Sequence, residues 1–143
     1  MKIALAQINP IIGNFSYNRD RVVEQIRLAE EAACGLVVFP ELTLCGYPPQ
    51  DLLERPAFLR VHDQMLEELV GSVGEIGVIL GVPEQRQGKG KPLYNSALLI
   101  HQGRCCTGCA SNFCPPMMSL TNAAILSLVL LLCLFSFRGC AWA

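Results

Sequence analysis

Charge is scarce in this chain, and it stops abruptly. Between residues 105 and 143 there is no Asp, Glu, Lys or His, and Arg138 is the only charged side chain. All 12 acidic residues, both histidines and ten of the 11 basic residues lie before that point. Folded domains do not usually change composition so abruptly, so the two parts are read separately. The formal net charge of −1 gives no basic footprint for nucleic acid and no electrostatic pull toward a membrane. Cysteine is scarce in the body, with only Cys34 and Cys45 before residue 105, and six of the 8 cysteines lie in the tail. The start, MKIALAQINPIIG, lacks the long apolar core and small-residue cleavage site of a secretion signal, which points to a cytoplasmic start. No internal repeat is visible.

The 143 residues therefore divide into a body, 1–104, and a Cys-rich, hydrophobic tail, 105–143. In the body, Met1 to Asn9 reads as a strand stopped by Pro10, and Gly13-Asn14 as a turn. Asn18 is a plausible N-cap for a helix with its period in Val22, Val23, Ile26, Ala29 and Ala33, broken by Gly35. Leu36 to Phe39 is a short apolar run suited to a strand buried on both faces. A Gly- and Pro-rich loop follows from Leu42 to Pro56. The helical period returns from Phe58 to Val73, then strands are expected at Gly77 to Val82 and Leu93 to His101, around a solvated turn QRQGKGK. Strand, helix, strand, helix, strand, strand predicts an α/β layered domain.

One residue in the body is placed for chemistry. Glu41 stands at the tip of the apolar run, just after Pro40. Strand ends are where open α/β sheets place their sites. A carboxylate there is partly desolvated, which raises its pKa toward the range of a general base. A surface Glu, or one capping the following loop, is the plain alternative.

The words around Glu41 carry a resemblance. MKIALAQINPIIGNF, LVVFPELTLCGYPPQDLL, GVPE and LYNSALLI closely resemble the carbon-nitrogen hydrolase (nitrilase) superfamily. The loop PELTLCGYPPQDLL is similar to the glutaminase domain of the bacterial glutamine-dependent NAD+ synthetase family. The resemblance implies an α-β-β-α sandwich, of which this chain would hold a part, with a Glu, Lys and Cys active site. Cys attacks the side-chain amide carbon of glutamine, Glu takes the thiol proton and later helps activate water, and Lys stabilises the oxyanion. That division fits a thiol's need for a base and an oxyanion's need for a fixed donor. Ammonia released this way serves ATP-dependent amidation of deamido-NAD to NAD+ in a separate synthetase domain, in a homo-oligomeric protein. The resemblance thus implies glutamine as substrate, no cofactor in this part, and ATP, Mg and deamido-NAD only in that other domain.

Glu41 matches the family's Glu. Tyr47 lies in the loop that lines the family's glutamine pocket, a candidate for substrate contact. Tyr94 and Asn95 match the family's YNS strand, where packing and a satisfied amide account for them. Cys45 stands on the wrong motif to be the nucleophile, which in the family sits in an I-C-E-D segment absent here. The family's Lys is absent as well. It belongs to a word R-K-x-L-L-P-T-Y-x-V-F-D-E that follows the YNSALLI strand, where this chain reads CCTGCASNFCPP.

Three readings of the tail compete. Cys106-x-x-Cys109-x4-Cys114 has the spacing of part of a zinc site, but no His and no second C-x-x-C completes a tetrahedral set. The run AAILSLVLLLCLFSF, Ala123 to Phe137, is uncharged and nearly long enough for a membrane anchor, which wants about 20 apolar residues. That would make the chain a tail-anchored, noncatalytic nitrilase-like binding protein. An amidase from another branch of the superfamily is a further alternative. The third reading is a shifted reading frame. When the last base of each degenerate codon is grouped with the first two of the next, Phe113-Cys114 must give Leu and Met117-Met118 must give Asp. Ser111-Asn112 gives YAA if Ser is AGY, which is Gln if it is not a stop. The codons from Cys109 to Leu128 then permit R-K-Q-L-L-P-T-Y-D-V-F-D-E-x-R-Y-F-E-P. That is the missing lysine word in its expected place. On this reading the frame is lost at or just after Arg104, and the chain as written is an inactive piece of a glutaminase.

Overall fold

A computed structural model of the chain describes residues 1–85 and 93–106, with the side chains of Tyr94 and Cys106 excepted. Five strands and two long helices form in the order β1 (Ile3–Leu5), α1 (Phe15–Glu31), β2 (Leu36–Val38), a 3-10 turn (Gln50–Glu54), α2 (Pro56–Ser72), β3 (Gly77–Gln85), β4 (Leu93–His101) and β5 (Arg104–Cys106). One sheet holds all five in the order β1-β2-β3-β4-β5. The first two pairings are parallel and the last two antiparallel. This is the mixed α/β architecture expected from the sequence.

The sheet has two faces of different character. One carries Ala6, Val37, Phe39, Val78, Leu80, Val82 and Ile100, packed against Val22, Ile26 and Ala29 of α1 and Leu69 of α2. The other holds a smaller cluster of strand residues, Leu36, Val38 and Ile79, with Ile3, Ala97 and Leu99. Both helices therefore lie on one face, giving one helix layer and one sheet layer of the expected sandwich. β2 is buried at all three positions because it runs between two parallel neighbours, as its continuous apolar run suggested.

Helix boundaries correct several expectations. The N-cap of α1 is Asn14, whose side chain accepts from the Tyr17 N–H, and not Asn18. Asn18 lies one turn inside, fully buried, with work of another kind described below. The helix stops before Gly35. Ala33 takes φ +55°, its N–H donates to Glu30 O, and the Cys34 N–H donates to Ala29 O. That is a Schellman closure built on alanine where glycine is usual. Val23 is not on the buried stripe. α2 begins two residues earlier than expected, with Pro56 in its first turn, where a missing N–H costs nothing.

Strand lengths differ as well. β1 is confined to Ile3–Leu5. β3 runs to Gln85 and passes through Pro83. Phe39 N–H donates to Ile79 O, so the odd-numbered backbone groups of β3 point toward β2. Beyond Ile79 that side has no strand partner, and the missing N–H of Pro83 breaks no ladder bond. β5 was not foreseen. Gln102 at φ +50° and Gly103 at φ +66° form a two-residue hairpin loop of the type that matches strand twist. The loop is tied down where Gln102 N–H and Gly103 N–H donate to Gly74 O and Val73 O. β5 carries the ladder across the composition break, pairing Cys105 with Ile100 and Cys106 with Leu99. The turn residues 86–91, the C-x-x-C cluster beyond Cys106 and the apolar run 123–137 lie outside the described residues.

Candidate active site

Two loops at the same end of the sheet form the site, and one side chain locks them together. Asn18 Nδ2 donates to Ile11 O (2.8 Å) and Leu44 O (3.0 Å), and its Oδ1 accepts from Ile11 N–H (2.8 Å). The loop after β1 is thereby fixed to the loop after β2. Gly13 N–H adds a bond to Cys45 O (3.0 Å). Gly46 completes the contact at φ +86°, where a Cβ would stand 2.6 Å from Ile12 Cα and 2.7 Å from Ile12 N. Only glycine fits a left-handed position pressed on another backbone. This explains the Gly of the GYPP word: it sets the exit of the chain toward Tyr47, whose bond to Pro48 is cis.

Between these loops opens a cavity of about 340 Å³, lined by Gln7, Ile8, Asn9, Pro10, Pro40, Glu41 and Tyr47. Both sequence-predicted site residues, Glu41 and Tyr47, line it. Tyr47 is half exposed at the mouth, and Glu41 is partly buried.

Glu41 is held by three neighbours that sequence reasoning did not connect to it. Leu42, directly after it, has φ +50°, a strained conformation for a branched side chain. Gly81 on β3 lies beneath it: a Cβ there would meet Glu41 Cα at 3.0 Å and Leu42 N at 3.1 Å. Asn95 on β4 donates from Nδ2 to Glu41 Oε1. The register places Asn95 opposite Pro83 and Ala97 opposite Gly81, so Asn95 and Gly81 share the sheet face away from the helices. Burial pushes the Glu41 carboxyl above its ordinary value, and the Asn95 hydrogen bond partly opposes this. Among the described residues Oε2 has no hydrogen-bond partner.

The thiols and the lysine stand elsewhere. Cys45 is fully buried, with Sγ donating toward Leu42 O (3.5 Å), and burial pushes its thiol up to about 11. A thiol so held is a packing group and not a nucleophile. Lys2, the one described lysine, donates to Ala32 O (2.7 Å) at the far end of α1. Among the described residues no group of three or more His, Cys, Asp or Glu side chains could hold a metal ion, and no helix is long and apolar enough to cross a membrane.

Residues 2–108 match the family model described as carbon-nitrogen hydrolase. The chain is 38% identical over 105 residues to a glutamine-dependent NAD(+) synthetase of Xanthomonas campestris pv. campestris, covering 73% of this chain and 18% of that one. A glutamine-dependent NAD(+) synthetase of Synechocystis sp. is 40% identical over 108 residues, covering 71% and 19%. A solved glutamine-dependent NAD+ synthetase from Acinetobacter baumannii superposes with a TM-score of 0.71 at 32% identity, over 86% of this chain and 23% of that one. The chain thus spans about a fifth of the length of the relatives it matches.

Proposed function

The chain belongs to the carbon-nitrogen hydrolase family, and we propose that it is the opening part of a cytoplasmic glutaminase domain that supplies ammonia for NAD+ synthesis. Glu41 is its general base. The observation that carries this is the half-buried carboxylate at a strand tip, opening into a cavity with one oxygen fixed by Asn95 and the other unpartnered among the described residues. Such a group can accept a proton from an attacking thiol and return it to the leaving amine. Tyr47, which lines the same cavity, is the candidate contact for the glutamine side chain.

Among the described residues the base stands without its partners. Neither Cys45 nor Lys2 can serve, for the reasons of burial and distance from the cavity given above. The family's lysine word is recoverable only in a shifted frame, beginning within five residues of Arg104. Losing the nucleophile alone costs on the order of a million-fold in turnover in a well-studied triad, so the chain as written is inactive. ATP, Mg and deamido-NAD belong to a synthetase domain outside these residues. The described side chains offer no metal cluster, and no step here runs through those groups. The test is ammonia release from glutamine by the purified chain. None is expected above the Glu41→Gln background, and Glu41-dependent release would overturn the claim of inactivity.

A further inference from the structure

Packing and a satisfied amide account for Asn95 from the sequence, and the group that satisfies the amide is the Glu41 carboxylate. The following deepens the reading of Glu41 as the base and rests on it. We propose that Asn95 is the positioning residue for Glu41: its Nδ2–H holds Oε1, so that Oε2 alone is presented to the incoming proton.

A carboxylate is symmetric. Its two oxygens are equivalent until something distinguishes them, and a free Glu side chain samples several rotamers. One amide donor on Oε1 removes both freedoms. Asn95 is not among the residues lining the cavity, so it acts from behind and leaves the open side to substrate. The donor's lack of charge also matters. A lysine or arginine at that place would hold the carboxylate firmly deprotonated as an ion pair, whereas a neutral amide leaves it able to take up a proton. The backbone is arranged around this bond. Gly81, on the same sheet face as Asn95, is bare where the Glu41–Leu42 backbone passes over it, and Leu42 accepts a positive φ directly after Glu41. Tyr47 is the other titratable group lining the cavity among the described residues, and it stands at the mouth.

The test is an NMR titration of the full chain, following the Glu41 side-chain carboxyl carbon and the Asn95 side-chain NH2, assigned with Glu41→Gln. The Asn95 resonance is expected to move with the same midpoint as Glu41. Asn95→Ala should shift the Glu41 midpoint upward, and Asn95→Asp, which replaces the donor with a like charge, should shift it further. Unchanged β3 and β4 amide shifts establish that each variant is folded, and if neither is, the wild-type co-titration decides alone. An Asn95 resonance that stays flat through the Glu41 titration overturns the proposal, as does an unmoved midpoint in folded Asn95→Ala. A wild-type Glu41 midpoint in the ordinary carboxylate range instead overturns the reading of Glu41 as a poised base, whatever Asn95 does.

Discussion

Replacing Asn18 with Ala should destabilise the chain far more than a helix-surface substitution would. Three hydrogen bonds are lost, those to Leu44 O, Ile11 O and Ile11 N–H, and Ile11 O keeps the one it accepts from Asn14 N–H. Leu44 is fully buried, so its carbonyl is left without water, at about 1–3 kcal/mol. Ile11 is about half exposed, so water replaces much of what its two groups lose, leaving about 0.5 kcal/mol each. The total is about 2–4 kcal/mol, a roughly 30- to 1000-fold drop in the folded-to-unfolded ratio and a large part of a typical domain's stability. Urea unfolding followed by circular dichroism at 222 nm measures it. Asn18→Asp keeps the acceptor for Ile11 N–H but turns a carboxylate oxygen toward two carbonyls, so it should cost at least as much as Ala. A loss below about 0.5 kcal/mol for Asn18→Ala, or a milder effect of Asp than of Ala, would refute the view that this side chain locks the two site loops together.

Three other outcomes follow from the same geometry. Gly46→Ala should cost more than about 2 kcal/mol in the same unfolding assay, since its Cβ would overlap the Ile12 backbone at a positive φ. Because burial raises Glu41 above its ordinary value near 4.5, its ionisation opposes folding. Wild-type stability relative to Glu41→Gln should therefore be greatest below pH 4.5 and fall as pH rises through the elevated folded value, read from urea midpoints across pH. With its thiol near 11, about a thousandth of Cys45 is thiolate at pH 8, so mass spectrometry should find it alkylated by iodoacetamide long after exposed Cys105.

The alternation of apolar runs with helical periods was enough to order the elements, because strands buried on both faces and two-sided helices leave strong local patterns. β4 falls on the expected Leu93 to His101, and Glu41 and Tyr47 both reach the cavity. What was not legible depends on contacts between distant segments. Asn18 has the composition of a cap, and only the approach of the Leu44 loop makes it a bridge. Asn95 meets Glu41 across 54 positions, through a β3–β4 register that local pattern does not specify. Gly81 looks like any strand glycine until the chain after β2 crosses it. β5 was hidden because the break in composition at residue 105 falls inside it, and a three-residue edge strand is set by its hairpin turn more than by its own side chains.

The central claim is that Glu41 is a general base separated from its lysine and cysteine by a lost reading frame. Sequencing the DNA across the codons for Gly103 to Pro116, and a few hundred bases beyond, tests it most directly. The account predicts that a one-base shift restores R-K-Q-L-L-P-T-Y-D-V-F-D-E and that an I-C-E-D segment follows in that same frame. A confirmed frame as written, with neither word in the shifted one, would contradict it and make the apolar tail part of the working protein.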